Sequence, residues 1–293
     1  MTSATSLTVD TPGTTSAGTT SPWTSPGTSP GTEGSPSARA AAAHAPIPFR
    51  RLAWVELTKM FDTRSGFWLL AGIAISALLA TAAVVAFAPE ESQTFEQFSA
   101  AIGMPIAILL PMVAILSVTA EWSQRGTLTT FTLVPHRGRV LLAKAVCAVG
   151  VGVVSMGVAL AIGALGNVVG TAISGAPTVW DVDAANLATI VLANVLGLMM
   201  GFTLGVVLRS SPVAVVGYFV FSLVLPNALF ALGMVQEWFA DLQPWVDFYF
   251  SYTVLFEDVP TGEQWAQIGT SGLLWLVLPL AFGVWRVTRT EVK

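Results

Sequence analysis

Six stretches of this 293-residue chain are each about as long as a bilayer is thick and contain no Asp, Glu, Lys or Arg. They run approximately from Phe67 to Ala88, Ser99 to Thr119, Ala145 to Gly170, Asn186 to Leu208, Pro212 to Met234 and Ile268 to Trp285. A helix needs about 20 predominantly apolar residues to cross the hydrocarbon core. Backbone groups inside that core find no water, so each stretch is expected to satisfy its own hydrogen bonds as a helix. Charged residues make up 10% of the sequence, against about 25% in soluble domains. The chain therefore reads as an all-α integral membrane protein with six transmembrane helices.

The basic residues set an expected orientation, because cytoplasmic connections retain Lys and Arg. Arg39, Arg50, Arg51, Lys59 and Arg64 precede the first stretch; Arg125, Arg137, Arg139 and Lys144 follow the second; Arg209 follows the fourth; Arg286, Arg289 and Lys293 follow the sixth. The opposite connections carry Glu90, Glu91, Glu96, Asp181, Asp183, Glu237, Asp241, Asp247, Glu257, Asp258 and Glu263 with no basic residue among them. Both termini are expected in the cytoplasm of a multi-pass cell-membrane protein. The net charge of -4 is a sum over two oppositely charged faces.

Residues 1–46 are rich in Ser, Thr, Pro, Gly and Ala, with one aromatic, Trp23. Such a composition cannot bury enough apolar surface to fold, so a disordered cytoplasmic tail is expected. A basic start followed by an apolar core is missing, which argues against a cleaved signal peptide. Over residues 47–66 the pattern becomes amphipathic. Ala53, Trp54, Leu57, Met60 and Phe61 project to one face, with Glu56, Lys59 and Asp62 on the other. This suits a helix lying in the membrane interface, turning into the bilayer at Ser65-Gly66. Residues 67–293 then form the six-helix domain.

Two stretches carry small residues at every fourth position: Gly72, Ser76 and Ala80 in the first, Gly197, Gly201 and Gly205 in the fourth. That spacing lets helix backbones approach closely, within one subunit or between two. Pro105 and Pro111 interrupt the second stretch, Pro226-Asn227 the fifth and Pro279 the sixth. Each proline removes a backbone donor, so these breaks must face protein or a wet cavity; Pro105, Pro111, Pro226 and Asn227 are candidates for a substrate path. Cys147 reads as a small packed apolar residue. Residues 235–267 hold nine aromatics among acidic residues, a composition expected at the membrane boundary as short interfacial or re-entrant helices broken at Pro244 and Pro260. The acidic residues there read as a solvated outer face.

The one long polar, basic connector is 121–144. It contains Glu121, Arg125, Gly126-Thr127-Leu128, Pro135, Arg137, Arg139 and Lys144. A turn, a short apolar-polar run and a proline stop suit a small helix at the membrane surface. Its basic exit could meet anionic lipid, at about 1 kcal/mol per residue, or a protein partner. No phosphate-binding Gly-x-x-x-x-Gly-Lys-Ser/Thr run occurs, His44 and His136 lack companions for a metal, and the stretches hold neither a nucleophile–base pair nor an intramembrane carboxylate. No enzyme activity, metal or cofactor is expected in this chain, nor nucleic-acid binding.

Two motifs, Glu56-Leu-Thr-Lys59 with Thr63-Arg64, and Glu121 with Gly126-Thr127-Leu128, Pro135 and Lys144, resemble permease subunits of type-2 ATP-binding-cassette (ABC) exporters. The first is similar to that family's interfacial elbow helix, containing Trp54, Glu56, Lys59 and Arg64, and the second to its coupling loop. Six spans and an aromatic outer segment add to the resemblance, which covers roughly Phe49 to Lys293. It implies a dimer of permease chains, identical or paired, that forms the substrate pathway. It also implies a separate ATP-binding subunit, holding ATP and Mg, that docks on residues 121–144. A membrane-embedded scaffold or immunity-type protein is the alternative, and a secondary transporter fits less well.

Overall fold

A computed structural model describes residues 48–123 and 137–289, and among these every regular element is helical. The elements are α1 (Phe49–Asp62), α2 (Arg64–Phe87), α3 (Phe95–Ser123), α4 (Arg137–Ser174), α5 (Ala184–Leu208), α6 (Ser211–Val235), α7 (Glu237–Val246), α8 (Phe248–Thr253) and α9 (Gly262–Arg289). Short 3-10 turns occur at Glu90–Ser92 and Val254–Phe256. Six of these helices, α2 to α6 and α9, are long and apolar enough to cross a membrane. They fall on the six uncharged stretches, so the chain is an all-α multi-pass membrane protein.

The corner between α1 and α2 sits at Thr63 rather than Ser65-Gly66. Thr63 leaves helical geometry (φ -81°, ψ 135°) and ends α1, with its N–H donating to the Lys59 carbonyl. Its hydroxyl then accepts from the Gly66 N–H at 3.2 Å and starts α2. Gly66 is required by proximity: a Cβ there would lie 2.0 Å from the Met60 carbonyl oxygen.

α4 also differs from its expected start at Ala145. It begins at Arg137 and runs for 38 residues, about 57 Å at about 1.5 Å per residue. Lys144 therefore lies two turns inside a helix. Prolines are absorbed in two ways. In α6 and α9 a π-helical turn, Val220–Val224 and Leu273–Val277, precedes Pro226 and Pro279 and keeps the span continuous. Within α3, Pro105 and Pro111 are accommodated without interruption.

α3 and α5 form the centre, with 50% and 56% of their apolar windows buried, against 17% for α2, α6 and α9. Their contact uses the glycine ridge within one chain. A Cβ on Gly201 would stand 2.6 Å from the Pro111 carbonyl oxygen, and one on Gly205 3.4 Å from that of Ile115. Pro111 is thus buried against α5 and does not line an open path. Its missing N–H leaves the Ala107 carbonyl without a helical donor, and the Tyr218 hydroxyl of α6 donates to that oxygen at 3.2 Å. Tyr218→Phe is expected to destabilise the bundle by about 0.6–1.7 kcal/mol, the range for hydrogen bonds between membrane helices. A detergent-titration unfolding midpoint would register the loss; an unchanged midpoint would mean the carbonyl finds another donor.

The 235–267 segment folds back into the bundle. Phe248, Tyr252 and Leu255 are buried beside Tyr218, Phe221 and Ala193, and the Tyr252 hydroxyl reaches the middle of α5, 3.6 Å from where a Gly197 Cβ would be. Pro244 lies inside α7 and does not break it. The break falls at Asp247, whose carboxylate caps α8 by accepting from the Phe250 N–H at 3.2 Å and also accepts from Gln243 Nε2 at 3.2 Å. Asp247 is 1% exposed, which corrects the solvated outer face expected for it. Burial pushes the Tyr252 phenol well above its usual range, with nearby Tyr218, Tyr249 and Asp247 adding to the effect.

Candidate functional site

Helices α1, α3, α4, α5 and α6 come together at the end of the bundle that carries the basic residues. α1 lies against α4 because Leu52 packs with Val140 and Ala143, and Met60 joins the main core. The face that α1 turns inward is Leu52, Glu56 and Met60. This reverses the sequence projection for Glu56, which is 3% exposed, while Trp54 and Phe61 of the apolar face expected to meet the membrane are 69% and 51% exposed. In a membrane the outward face is the one that meets lipid, so apolar residues leave the bundle and a paired charge can enter it.

The pair is Glu56 with Lys144. Lys144 Nζ donates to Glu56 Oε2 and, at 3.3 Å, to the Ser117 carbonyl of α3. Lys59 Nζ donates to Glu56 Oε1 at 2.8 Å. Lys144 is 4% exposed, so its ammonium is turned inward to Glu56 rather than outward as both readings for this residue assumed. Next to it the Cys147 thiol donates to the Ala53 carbonyl at 3.2 Å, closing a second link from α4 to α1.

Lys144 thus ties together α1, the helix before the 124–136 connector and the helix after it. Glu121 lies in the last turn of α3, and Arg137 is the first residue of α4. Arg125, Gly126, Thr127, Leu128 and Pro135 lie outside the described residues. Arg139 is half-buried and Arg64 exposed.

A further contact on this end was missed in the sequence. Arg209 ends α5 in a left-handed conformation, φ 55°, the one non-glycine residue with positive φ among the described residues. Its guanidinium stacks over Trp122 at 4.9 Å. Burial and the neighbouring Arg286 both lower its pKa, and its Nε and Nη2 are buried without hydrogen-bond partners. Trp122 follows Glu121, so this stacking fixes the last turn of α3 beside the start of α6, where the Thr119 and Ser211 hydroxyls meet at 2.7 Å.

The other candidates fall elsewhere. Asn227 is exposed on α6 and donates back to the Leu223 carbonyl; Pro226 and Pro105 are half-buried. Ser117 and Cys147 gave no sequence signal, since one acts through its backbone and the other sits in an apolar run. Comparison with known proteins adds no assignment: no protein-family model matches the chain, and no curated protein matches it.

Proposed function

We propose that this chain is the transmembrane permease subunit of an ABC-type exporter. Two copies, or one copy and a related chain, enclose the route, and a separate ATP-binding subunit drives them through the 121–144 segment. The observation that carries this reading is the joint at Lys144, which fastens α1, α3 and α4 to one another at the roots of the connector. A push on 124–136 therefore moves three helices together instead of being lost in a loose hinge. The basic bias supports a cytoplasmic location for this end. The low burial of α6, with Asn227 on its outward face, supports a second subunit on that side.

The test is purification of the tagged chain from its own membranes, with assay of co-purifying ATP hydrolysis. An ATP-binding subunit should accompany the wild type. Gly126→Pro and Glu121→Ala should depress its coupled hydrolysis while the chain still inserts. If no ATPase accompanies the intact chain, the exporter reading falls and a scaffold role replaces it. If both variants hydrolyse at the wild-type rate, the connector is not the coupling element.

A further inference from the structure

On the flank of the bundle, α1, α2 and α4 leave an apolar groove of about 580 Å³, within the usual range of ligand sites of about 300–1,000 Å³. Leu57 and Phe61 of α1, Ile73 and Ala74 of α2, and Gly150 and Val154 of α4 line it. Gly150 opens it, because a Cβ there would meet nothing within 4 Å. The Cys147 thiol at its edge is already engaged with the Ala53 carbonyl, and Ser155 is the one other polar side chain among the lining residues. Along α4 the lining extends from Val146 to Ile162, about 24 Å at about 1.5 Å per residue. That exceeds half of the hydrocarbon core, which is about 30 Å thick.

Shape and charge select the occupant. Leu, Ile, Val and Ala side chains dominate the lining over that length, which suits an extended hydrocarbon chain. At the α1 end, Arg64 stands three residues past Phe61 and is exposed, and it makes no ion pair among the described residues. Arg50 and Arg51 of α1, also exposed, add positive charge against the one exposed acid of that helix, Asp62. The one buried acid of α1, Glu56, is already neutralised by Lys144 and Lys59.

We infer that the groove holds one acyl chain of an anionic phospholipid from the leaflet on the elbow's side, with its phosphate against Arg64. The lipid would then be a structural wedge. It fills the space beside the joint and keeps α1 pressed along α4, because apolar walls facing a void lose their dispersion contacts. This inference concerns lipid and does not depend on the exporter reading.

Native mass spectrometry and lipid extraction on the full chain, exchanged into nanodiscs of phosphatidylglycerol or phosphatidylcholine, test it. Wild type should retain phosphatidylglycerol through detergent washing. Gly150→Trp and the milder Ala74→Leu fill the groove and should lose the retained lipid. Gly157→Trp, at an equally open glycine outside the groove, should keep it. Arg64→Gln should cut the preference for phosphatidylglycerol roughly fivefold, the factor equivalent to about 1 kcal/mol per basic residue. Should Gly150→Trp fail to insert, Ala74→Leu decides. Retention unchanged in the filled variants, or no retained lipid in the wild type, overturns the site. A change of oligomer mass in Gly150→Trp without loss of lipid makes the face a contact between copies. An unaltered preference in Arg64→Gln removes the headgroup assignment.

Discussion

Glu56→Ala is expected to lower the unfolding free energy by about 3–5 kcal/mol, the cost of leaving a buried charge without its partner. The carboxylate receives Lys144 on one oxygen and Lys59 on the other, and its removal takes from Lys144 the carboxylate it meets two turns inside α4. Lys144→Ala should cost less, since Lys59 still neutralises Glu56 and is itself 44% exposed. The double replacement Glu56→Leu with Lys144→Met should recover most of the loss, because a well-packed apolar pair often equals a buried ion pair in stability. The two single changes then fail to add, as expected for residues in contact. Thermal unfolding of the four proteins in lipid nanodiscs measures this cycle, and additive losses would mean that the pair is not coupled. Under the proposed function the double variant is also informative: stability returns while the specific tie from α1 through Lys144 to the Ser117 carbonyl does not.

Gly201 carries the second large effect. A single methyl there would stand 2.6 Å from the Pro111 carbonyl oxygen and 2.9 Å from the Pro111 Cα, and a proline backbone has little room to yield. Overpacking of this kind costs about 1–3 kcal/mol, so Gly201→Ala should be damaging and Gly201→Leu should separate α3 from α5. The neighbours on the same ridge should behave differently. At Gly205 a Cβ would rest at 3.4 Å and at Gly197 at 3.6 Å, ordinary contact distances. Gly205→Ala should therefore be near neutral, or gain up to about 1 kcal/mol of helix propensity. Unfolding midpoints of the three alanine variants check this. A Gly201→Ala protein as stable as the wild type would mean that α3 and α5 do not approach as closely as described.

The contrast along this ridge marks the limit of what the residue pattern could tell. Spacing identified three small residues on one face, but only the position of Pro111 on the facing helix decides which of them is indispensable. The spans themselves were legible because length and the absence of charge answer directly to bilayer thickness. Lys144 was lost for the same reason: ending the third span at the first charge cut two turns from α4. A helical projection likewise sent Glu56 to the polar face, since it assumes that charges seek water. It does not foresee a lysine 88 residues away. At Pro111 the sequence implied an orphaned carbonyl and could not name Tyr218 as its donor. Asp247 was misread as solvated, because its burial depends on residues 235–267 folding back onto α5 and α6. The connector residues Arg125 to Leu128 and Pro135 lie outside the described residues, so their reading still rests on the motif.

The distance along the chain between Glu56 and Lys144 has a consequence for biosynthesis. At about 5–20 residues per second, the 88 residues between them take about 4–18 s to translate. Throughout that interval Glu56 has Lys59 beside it but not Lys144, while α2 and α3 are made. The charge pair can close only once the first turns of α4 have been delivered beside α3. Burial of Glu56 therefore reports that the first half of the protein has been assembled in the right order, before α5 arrives to lock α3 in place.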